Sequence, residues 1–330
     1  MKAILFTRYG DADALRLSPN VEKPAPKPGE VLIKVHAASI NSWDWELLRG
    51  TPFANRMMFG LFRPKKINIL GCDIAGVVEA TGDGVAQLRP GDAVFGDLSG
   101  HFWGGFAEYV CAPGQLLARK PPGISFEQAA ALPQAGVLAL QGLRQGQLNS
   151  GQQVLINGAG GGAGTFAIQL AKAAGAVVTG VDSGGKLDTM RAQGADAVID
   201  YTREDFAKNG QRYDLILDMQ ATRPLRTCRA SMHPGGRYVV VGGAMGIIFR
   251  TMLLGPLFSR LGGQRQFGLL LHKPDKADLE TLSAYVEAGT LKPVIERSYP
   301  LEDTPEAMRH FGTGRVCGKL VITLAPNQTD

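Results

Sequence analysis

Cysteine is scarce in this chain. Of 330 residues only Cys72, Cys111, Cys228 and Cys317 are cysteines, far apart and with no CxxC spacing. That excludes a disulfide framework and a cysteine-rich zinc lobe, and fits a reducing, cytoplasmic setting. Long apolar runs are missing too. No window approaches the ~18 apolar residues of a membrane span, and the apolar part of Met1-Lys2-Ala3-Ile4-Leu5-Phe6-Thr7 is too short for a signal peptide. Nor are there the clustered Lys/Arg runs that mark nucleic-acid binders. The 35 Lys and Arg and 30 Asp and Glu are spread along the chain and leave a net charge of +5, so a nucleic-acid partner is not expected.

What the chain does have is length and apolar residues. At 330 residues, 45% of them apolar, it can bury two cores. The first ~120 residues read as short strands between Gly/Pro punctuation: Lys2 to Thr7, Val31 to Ala37, Ile74 to Ala80, Ala93 to Phe95 and Phe106 to Cys111. This predicts a mostly antiparallel β-domain. From Phe126 helices alternate with strands at Val154–Asn157, Val177–Val181, Ala197–Ile199, Leu215–Asp218 and Tyr238–Val241, the pattern of a doubly wound parallel sheet. A helix near Leu279–Ala288, a segment Val294–Tyr299, a helix near Thr304–Phe311 and a strand Lys319–Thr323 return to the character of the first domain. The expected fold is α/β. Residues 1–123 and 289–330 form the β-domain and residues 124–288 a Rossmann dinucleotide-binding domain.

The glycine-dense turn Gly158-Ala159-Gly160-Gly161-Gly162-Ala163-Gly164 leaves the strand Val154–Ile156 and opens the helix Gly162–Ala174. Bare backbone N–H groups and the positive end of a helix hold a pyrophosphate where no side chain blocks approach. Phe166, Leu170 and Ala173 fall on one helix face toward the sheet. The next strand ends in Asp182-Ser183, completing a βαβ unit with an acid 18 residues after Gly164, close to the ~20 expected for a ribose-binding carboxylate. Asp182 favours the free 2′-OH of NAD, whereas the nearby cations Lys186 and Arg203 suit a 2′-phosphate.

The apolar segment from Ile247 to Leu261 carries scattered arginines and is interrupted by Gly255-Pro256, so it is not expected to span a bilayer as one helix. Two readings stay open for it: packing against the protein itself, and peripheral contact with a membrane surface.

The chain resembles the zinc-independent quinone oxidoreductase branch of the medium-chain dehydrogenase/reductase superfamily. The resemblance rests on Lys27-Pro28-Gly29-Glu30-Val31, Asn41-Ser42-Trp43-Asp44-Trp45, Gly71-Cys72-Asp73-Ile74-Ala75-Gly76, Arg89-Pro90-Gly91-Asp92, Gly104-Gly105-Phe106-Ala107-Glu108-Tyr109, the glycine turn, Gly235-Gly236-Arg237-Tyr238 and Gly318-Lys319-Leu320-Val321-Ile322. The Asp-Trp after Asn41 is similar to the subgroup of reticulon-4-interacting protein and chloroplast-envelope quinone-reductase-like proteins. It implies a GroES-like β-domain, an NAD(P)H-dependent reductase of quinones or α,β-unsaturated carbonyls, and a homodimer. It also implies that Lys186 and Tyr201 hold a 2′-phosphate, which puts NADPH ahead of NADH, and that Gly242-Gly243-Ala244 lie beside the nicotinamide. The positions matching the catalytic zinc ligands of zinc-dependent relatives are Asn41, Cys72 and Gln134, of which only Cys72 is a soft ligand, so no metal is expected.

Without a Lewis acid the acceptor must already be electrophilic, as quinones and enones are. Asn41 is the candidate hydrogen-bond donor to the acceptor or the cofactor ribose, or else a helix cap. Asp44 is a first-turn acid or a proton relay. His101 is a proton relay or a surface histidine. Trp45, Cys72 and Trp103 are expected to line the substrate pocket, although core packing also explains each of them. A dinucleotide-binding protein with weak catalysis that acts through partners or a membrane surface is the second functional reading, and a zinc alcohol dehydrogenase the third.

Overall fold

A computed structural model describes residues 1–101, 103–261 and 264–324. Phe102 and the tail after Leu324, assigned above to the first domain, lie outside the described residues, as do the side chains of Leu257, Phe258, Arg260 and Leu261. Internal contacts divide the chain into two units, Met1–Gln134 with Lys273–Asp330, and Ala135–His272. The expected boundaries at 123/124 and 288/289 gave residues 124–134 and 273–288 to the second unit. In the structure the helix Phe126–Ala130 packs on the strands Glu30–Ser39 and Asp73–Thr81, and the helix Lys276–Glu287 on Leu117–Arg119, all in the first unit.

The first unit holds the two-stranded sheet Ala3–Phe6 with Leu15–Ser18 and a seven-stranded sheet in the order Ile295–Pro300, Lys319–Thr323, Glu30–Ser39, Asp73–Thr81, Ala93–Asp97 and Leu117–Arg119, with Tyr109–Pro113 also paired to Glu30–Ser39. All pairs are antiparallel except Ile295–Pro300 with Lys319–Thr323. Glu30–Ser39 is the spine. Its inward residues Val31, Ile33 and Val35 are buried in one cluster with Phe6, Leu47, Ile74, Phe106 and Leu320. The register sets Ser39 opposite Asp73 and Val321, and Asp73 opposite Asp97. One end of the sheet therefore collects polar residues from three strands.

The second unit is a six-stranded, all-parallel sheet in the order Ala197–Asp200, Val177–Asp182, Gln153–Asn157, Tyr213–Asp218, Met232–Val240, Gln266–Leu269. Its strands are buried and rich in Val, Ile and Leu, as parallel strands covered on both faces require. The helix Gly162–Ala173 is buried around its whole circumference from Gly164 to Ala171, whereas Ala173 is exposed. The expected one-sided face is thus wider and ends a residue or two earlier.

Gly255-Pro256, which interrupt the apolar segment in sequence, lie inside a helix. Met245–Leu261 is continuous through Pro256. Gly255 lies where an added Cβ would come within 3.2 Å of the Phe267 carbonyl oxygen, and the Ser259 hydroxyl donates to the Gly255 carbonyl at 2.8 Å. The proline has no N–H, so the Met252 carbonyl one turn earlier loses its helical donor. Among the described residues no helix is long and apolar enough to cross a membrane.

Candidate functional site

In the second unit, strand ends are tied together before the glycine turn begins. Asn157 Nδ2 donates to Asp218 Oδ1 at 2.7 Å and the Tyr238 hydroxyl donates to Asp218 Oδ2 at 2.8 Å, linking three adjacent strands. Burial raises the Asp218 pKa, and these two donors oppose the rise. Much of the turn's hydrogen bonding holds its own shape. The N–H groups of Gly158 and Ala159 donate to the Val181 carbonyl (2.9 and 3.1 Å), Gly160 N–H donates to Asp182 Oδ2 (3.0 Å), and Gly161 N–H donates to the Gly158 carbonyl (3.2 Å). The donors suited to an anion are those of the first helical turn, Gly162, Ala163 and Gly164, which have no carbonyl within the helix to bond and carry the positive end of its dipole. A Cβ on Gly164 would fall 2.2 Å from the Gly158 carbonyl oxygen, so this position is glycine because helix and turn touch. Gly242, Gly243 and Ala244 follow the strand Met232–Val240. There Gly243 crosses the backbone of Ala221 closely, and Ala244 N–H donates to the Ala221 carbonyl at 2.9 Å.

The ends of Val177–Asp182 and Ala197–Asp200 lie in register, Asp182 beside Asp200, and Tyr201 N–H donates to the Asp182 carbonyl at 3.1 Å. This brings Asp182, Ser183, Lys186 and Tyr201 together. Asp182 Oδ2 accepts from Gly160, while Oδ1 accepts from Ser183 N–H at 2.8 Å and lies 3.4 Å from Lys186 Nζ. Both members of this ion pair are buried, and Tyr201 is 54% exposed. The two residues that argued for different cofactors are bound to each other. Arg203 is exposed, its N–H bonded to the Asp200 carbonyl.

In the first unit, Asn41 stands before the helix Ser42–Arg49, and its backbone N–H donates to Asp44 Oδ2 at 2.9 Å. Its side chain serves a buried cluster. Asn41 Nδ2 donates to Asp73 Oδ2 (2.9 Å) and to Cys72 Sγ (3.3 Å), while Asn41 Oδ1 accepts from Lys319 Nζ (2.5 Å). Asp73 also accepts from the Ser39 hydroxyl (3.2 Å) and from Gln134 N–H (3.1 Å), and lies 3.6 Å from Lys319 Nζ. Asp44 Oδ1 accepts from Gly71 N–H at 2.9 Å. Burial pushes the Asp44 carboxyl up to about 6 against these backbone bonds. Asp73 is likewise raised by burial, with Lys319 pulling it back. Sequence reasoning missed Lys319, Asp73 and Asp97 as members. The one available signal was a lysine opening an otherwise apolar closing strand.

Cys72 is fully covered, its sulfur accepting from Asn41 and Gln134 Nε2 (3.5 Å), and burial with Asp44, Asp73 and Asp97 around it lifts the thiol pKa well above the ordinary range. It is a member of the polar cluster and not an exposed pocket wall. Trp45 and Trp103 do not share a wall either. Trp45 lies against the helix Thr304–Gly312, where an added Cβ on Gly312 would come 2.5 Å from its ring. Among the described residues, the rings of Trp43 and Phe59 lie beside Trp103, with centroids 6.0 and 5.7 Å away. Residues two apart on a helix point to nearly opposite sides, which separates Trp43 from Trp45. Trp103 is buried at φ 59°, an uncommon conformation for a large side chain, and no acceptor among the described residues meets its indole N–H. His101 Nε2 lies 3.5 Å from Glu30 Oε1.

A parallel six-stranded sheet with a phosphate-competent glycine turn, on a chain that also carries a GroES-type β-unit, defines a dinucleotide-dependent dehydrogenase or reductase. Residues 27–122 match the alcohol dehydrogenase GroES-like domain and residues 193–322 the zinc-binding dehydrogenase family. The chain is 33% identical to the 2-methylene-furan-3-one reductase of Solanum lycopersicum, over 99% of this chain and 80% of that protein. It is 31% identical to the chloroplastic NADPH-dependent alkenal/one oxidoreductase of Arabidopsis thaliana, over 99% and 80%. The solved quinone oxidoreductase of Coxiella burnetii superposes with a TM-score of 0.87 at 32% identity, covering 98% of this chain and 99% of that one. The chain belongs to the quinone oxidoreductase branch of the medium-chain dehydrogenase/reductase superfamily.

The second matched family is that of zinc-binding dehydrogenases, and among its described residues this chain has one cluster of its own that zinc could address. Cys72, Asp73 and Asp97 place ligand atoms within 4.8 Å of one another. They fit zinc poorly. Cys72 Sγ already accepts two amide N–H bonds, Asp73 is enclosed by four donors, and the Lys319 ammonium sits where a cation would compete. Asn41 and Gln134, at the matching ligand positions, present weak amide ligands.

Proposed function

We propose that the chain is an NAD(P)H-dependent, zinc-independent reductase of quinones or α,β-unsaturated carbonyls, with NADPH as the preferred cofactor. The observation that carries this reading is the glycine turn with Asp182, Ser183, Lys186 and Tyr201 gathered at the adjoining strand ends, on a chain whose relatives are named as quinone and alkenal/one reductases. A bound nicotinamide supplies a hydride. The first turn of Gly162–Ala173 would hold its pyrophosphate. Lys186 and Tyr201 would hold a 2′-phosphate, and Gly242–Ala244 follow a strand end on the edge where the rest of the dinucleotide is expected. Asp182 has both oxygens engaged by Gly160, Ser183 and Lys186, which leaves little capacity to accept a ribose 2′-OH and favours NADPH.

Asn41, whose amide is bonded on both sides, orients the polar cluster. To act as a donor to an acceptor oxygen it must first release Asp73 or Cys72. Asp44, raised to about 6, holds a proton on part of its population near neutral pH and is a proton reservoir at the end of the same network. His101 stays in the proposal as a proton relay, paired with Glu30. Four free cysteines fit a cytoplasmic location, and we place the protein there as a homodimer.

The test is loss of reduced-cofactor absorbance with purified protein, NADPH or NADH, and a panel of quinones and enones. Turnover on at least one acceptor, faster with NADPH, is expected. Cofactor binding with no turnover on any acceptor would sink the reductase and favour a dinucleotide-binding protein acting through partners. Metal analysis finding about one tightly held zinc per chain would overturn zinc independence.

A further inference from the structure

The segment from Phe53 to Lys66 in the first unit is built as a surface. Its inner side is fastened. Arg56 Nε donates to the Gly50 carbonyl at 3.1 Å and its guanidinium lies over the Tyr9 ring, the Tyr9 hydroxyl donates to the Gly60 carbonyl at 2.7 Å, and Phe59 meets Trp103 edge-on. The outer side is apolar and open to solvent. Phe53 is 62% exposed, Met57 73%, Met58 60%, Leu61 46% and Phe62 89%, five large apolar side chains within ten residues. A folded chain does not normally leave such a group together in water without a partner.

The charges beside it narrow the partner. Between Glu46 and Asp73 the chain holds no acidic residue and five cations, Arg49, Arg56, Arg63, Lys65 and Lys66. Arg49 faces Asp11 and Arg56 is fastened inward, whereas Arg63, Lys65 and Lys66 are exposed directly after Phe62. A second copy meeting this face through a two-fold axis would oppose like charges. An acidic polyanion would satisfy the cations but not the methionines and phenylalanines. Apolar side chains that need no shaped pocket, edged by cations, match an anionic bilayer surface: the side chains enter the acyl boundary and the cations stay at the headgroups.

We propose that residues 53–66 form a peripheral docking surface for anionic lipid membranes. The sequence pointed instead to 247–261, where Phe249, Met252 and Leu253 are also exposed. That segment has Arg250 and Arg260 as its only cations and no basic run. The proposal is independent of which acceptor the enzyme reduces.

The test is co-sedimentation of the full chain with vesicles of phosphatidylcholine alone and of phosphatidylcholine with phosphatidylglycerol, at low and high salt. Binding to the anionic vesicles is expected, and high salt should reverse most of it. The triple variant Arg63→Gln/Lys65→Gln/Lys66→Gln should weaken partitioning on the order of a hundredfold, given the usual gain per cation at such a surface. Met57→Ser/Phe62→Ser should abolish it, and Leu253→Ser should leave it unchanged. Sedimentation velocity without lipid should show the same mass for wild type and Met57→Ser/Phe62→Ser. Wild type remaining in solution with anionic vesicles at low salt would overturn the proposal. So would equal binding to neutral vesicles, loss of binding only in Leu253→Ser, or self-association that Met57→Ser/Phe62→Ser removes.

Discussion

Lys319 and Asn41, 278 residues apart, meet inside the first unit: the ammonium donates to the amide oxygen at 2.5 Å, and both side chains are more than nine-tenths buried. This contact fixes which end of the Asn41 amide is oxygen, and so fixes that its NH₂ faces Asp73 and Cys72. It also sets the ammonium 3.6 Å from Asp73.

Lys319→Met is therefore expected to leave Asp73 buried without its cation. At about pH 8 it should lower stability by on the order of 3–5 kcal/mol, and the loss should shrink near pH 5, where Asp73 takes up a proton. Urea unfolding at both pH values measures this. An equal loss at both would assign the lysine to packing alone.

Lys186→Ala is expected to raise KM for NADPH roughly tenfold or more and to leave NADH kinetics nearly unchanged, because an ammonium contributes a charge-assisted bond only when a 2′-phosphate is present. Asp182→Ser releases Lys186 from its partner and should shift preference further toward NADPH. Equal effects of Lys186→Ala on both cofactors would place that lysine in the turn's scaffold.

Burial alone raises the Glu46 carboxyl to about 7. A carboxyl whose folded pKa lies above its unfolded one stabilises the fold fully below the unfolded value, and that contribution is lost as pH rises through the folded value. Stability should accordingly fall between about pH 4 and about pH 7. Glu46→Gln should be on the order of 1–2 kcal/mol more stable than wild type at about pH 8 and similar to it near pH 4, after discounting for the part of the side chain that solvent reaches. Thermal melts across that range decide the sign.

Cys72 should resist alkylation in the folded protein and react only after denaturation, since it is fully covered and its thiolate is disfavoured. Mass spectrometry of peptides after brief iodoacetamide treatment tests this. Rapid native labelling of Cys72 would return it to the accessible surface.

Local chemistry made much of this fold legible. The turn glycines mark the start of the helix at Gly162, Asp182 closes its strand, and the closing strand Lys319–Thr323 has the predicted bounds, because glycine punctuation and β-branched runs act over a few residues. The polar cluster was less legible. Asn41, Asp44 and Cys72 stood out singly, but nothing local says that Lys319 turns inward to join them, or that Asp182 and Lys186 neutralise each other. Nor is it local that the ring beside Trp103 is that of Trp43, two residues before Trp45. Nor does the sequence say that the helix Met245–Leu261 runs on through Gly255-Pro256, the pair that interrupts its apolar run.

The first unit is interrupted by the whole of residues 135–272, and its strand Lys319–Thr323 lies on the far side of that interruption. During synthesis Asn41, Asp44, Cys72 and Asp73 leave the ribosome long before Lys319 exists. Until then the nascent sheet lacks both an edge partner for Ser39 and the cation for Asp73. The second unit, continuous in sequence, has every one of its strands available first and is free to fold as a unit while the first waits for its own closing strand. A chaperone surveying this chain would meet an open, acid-lined β-edge for most of its translation.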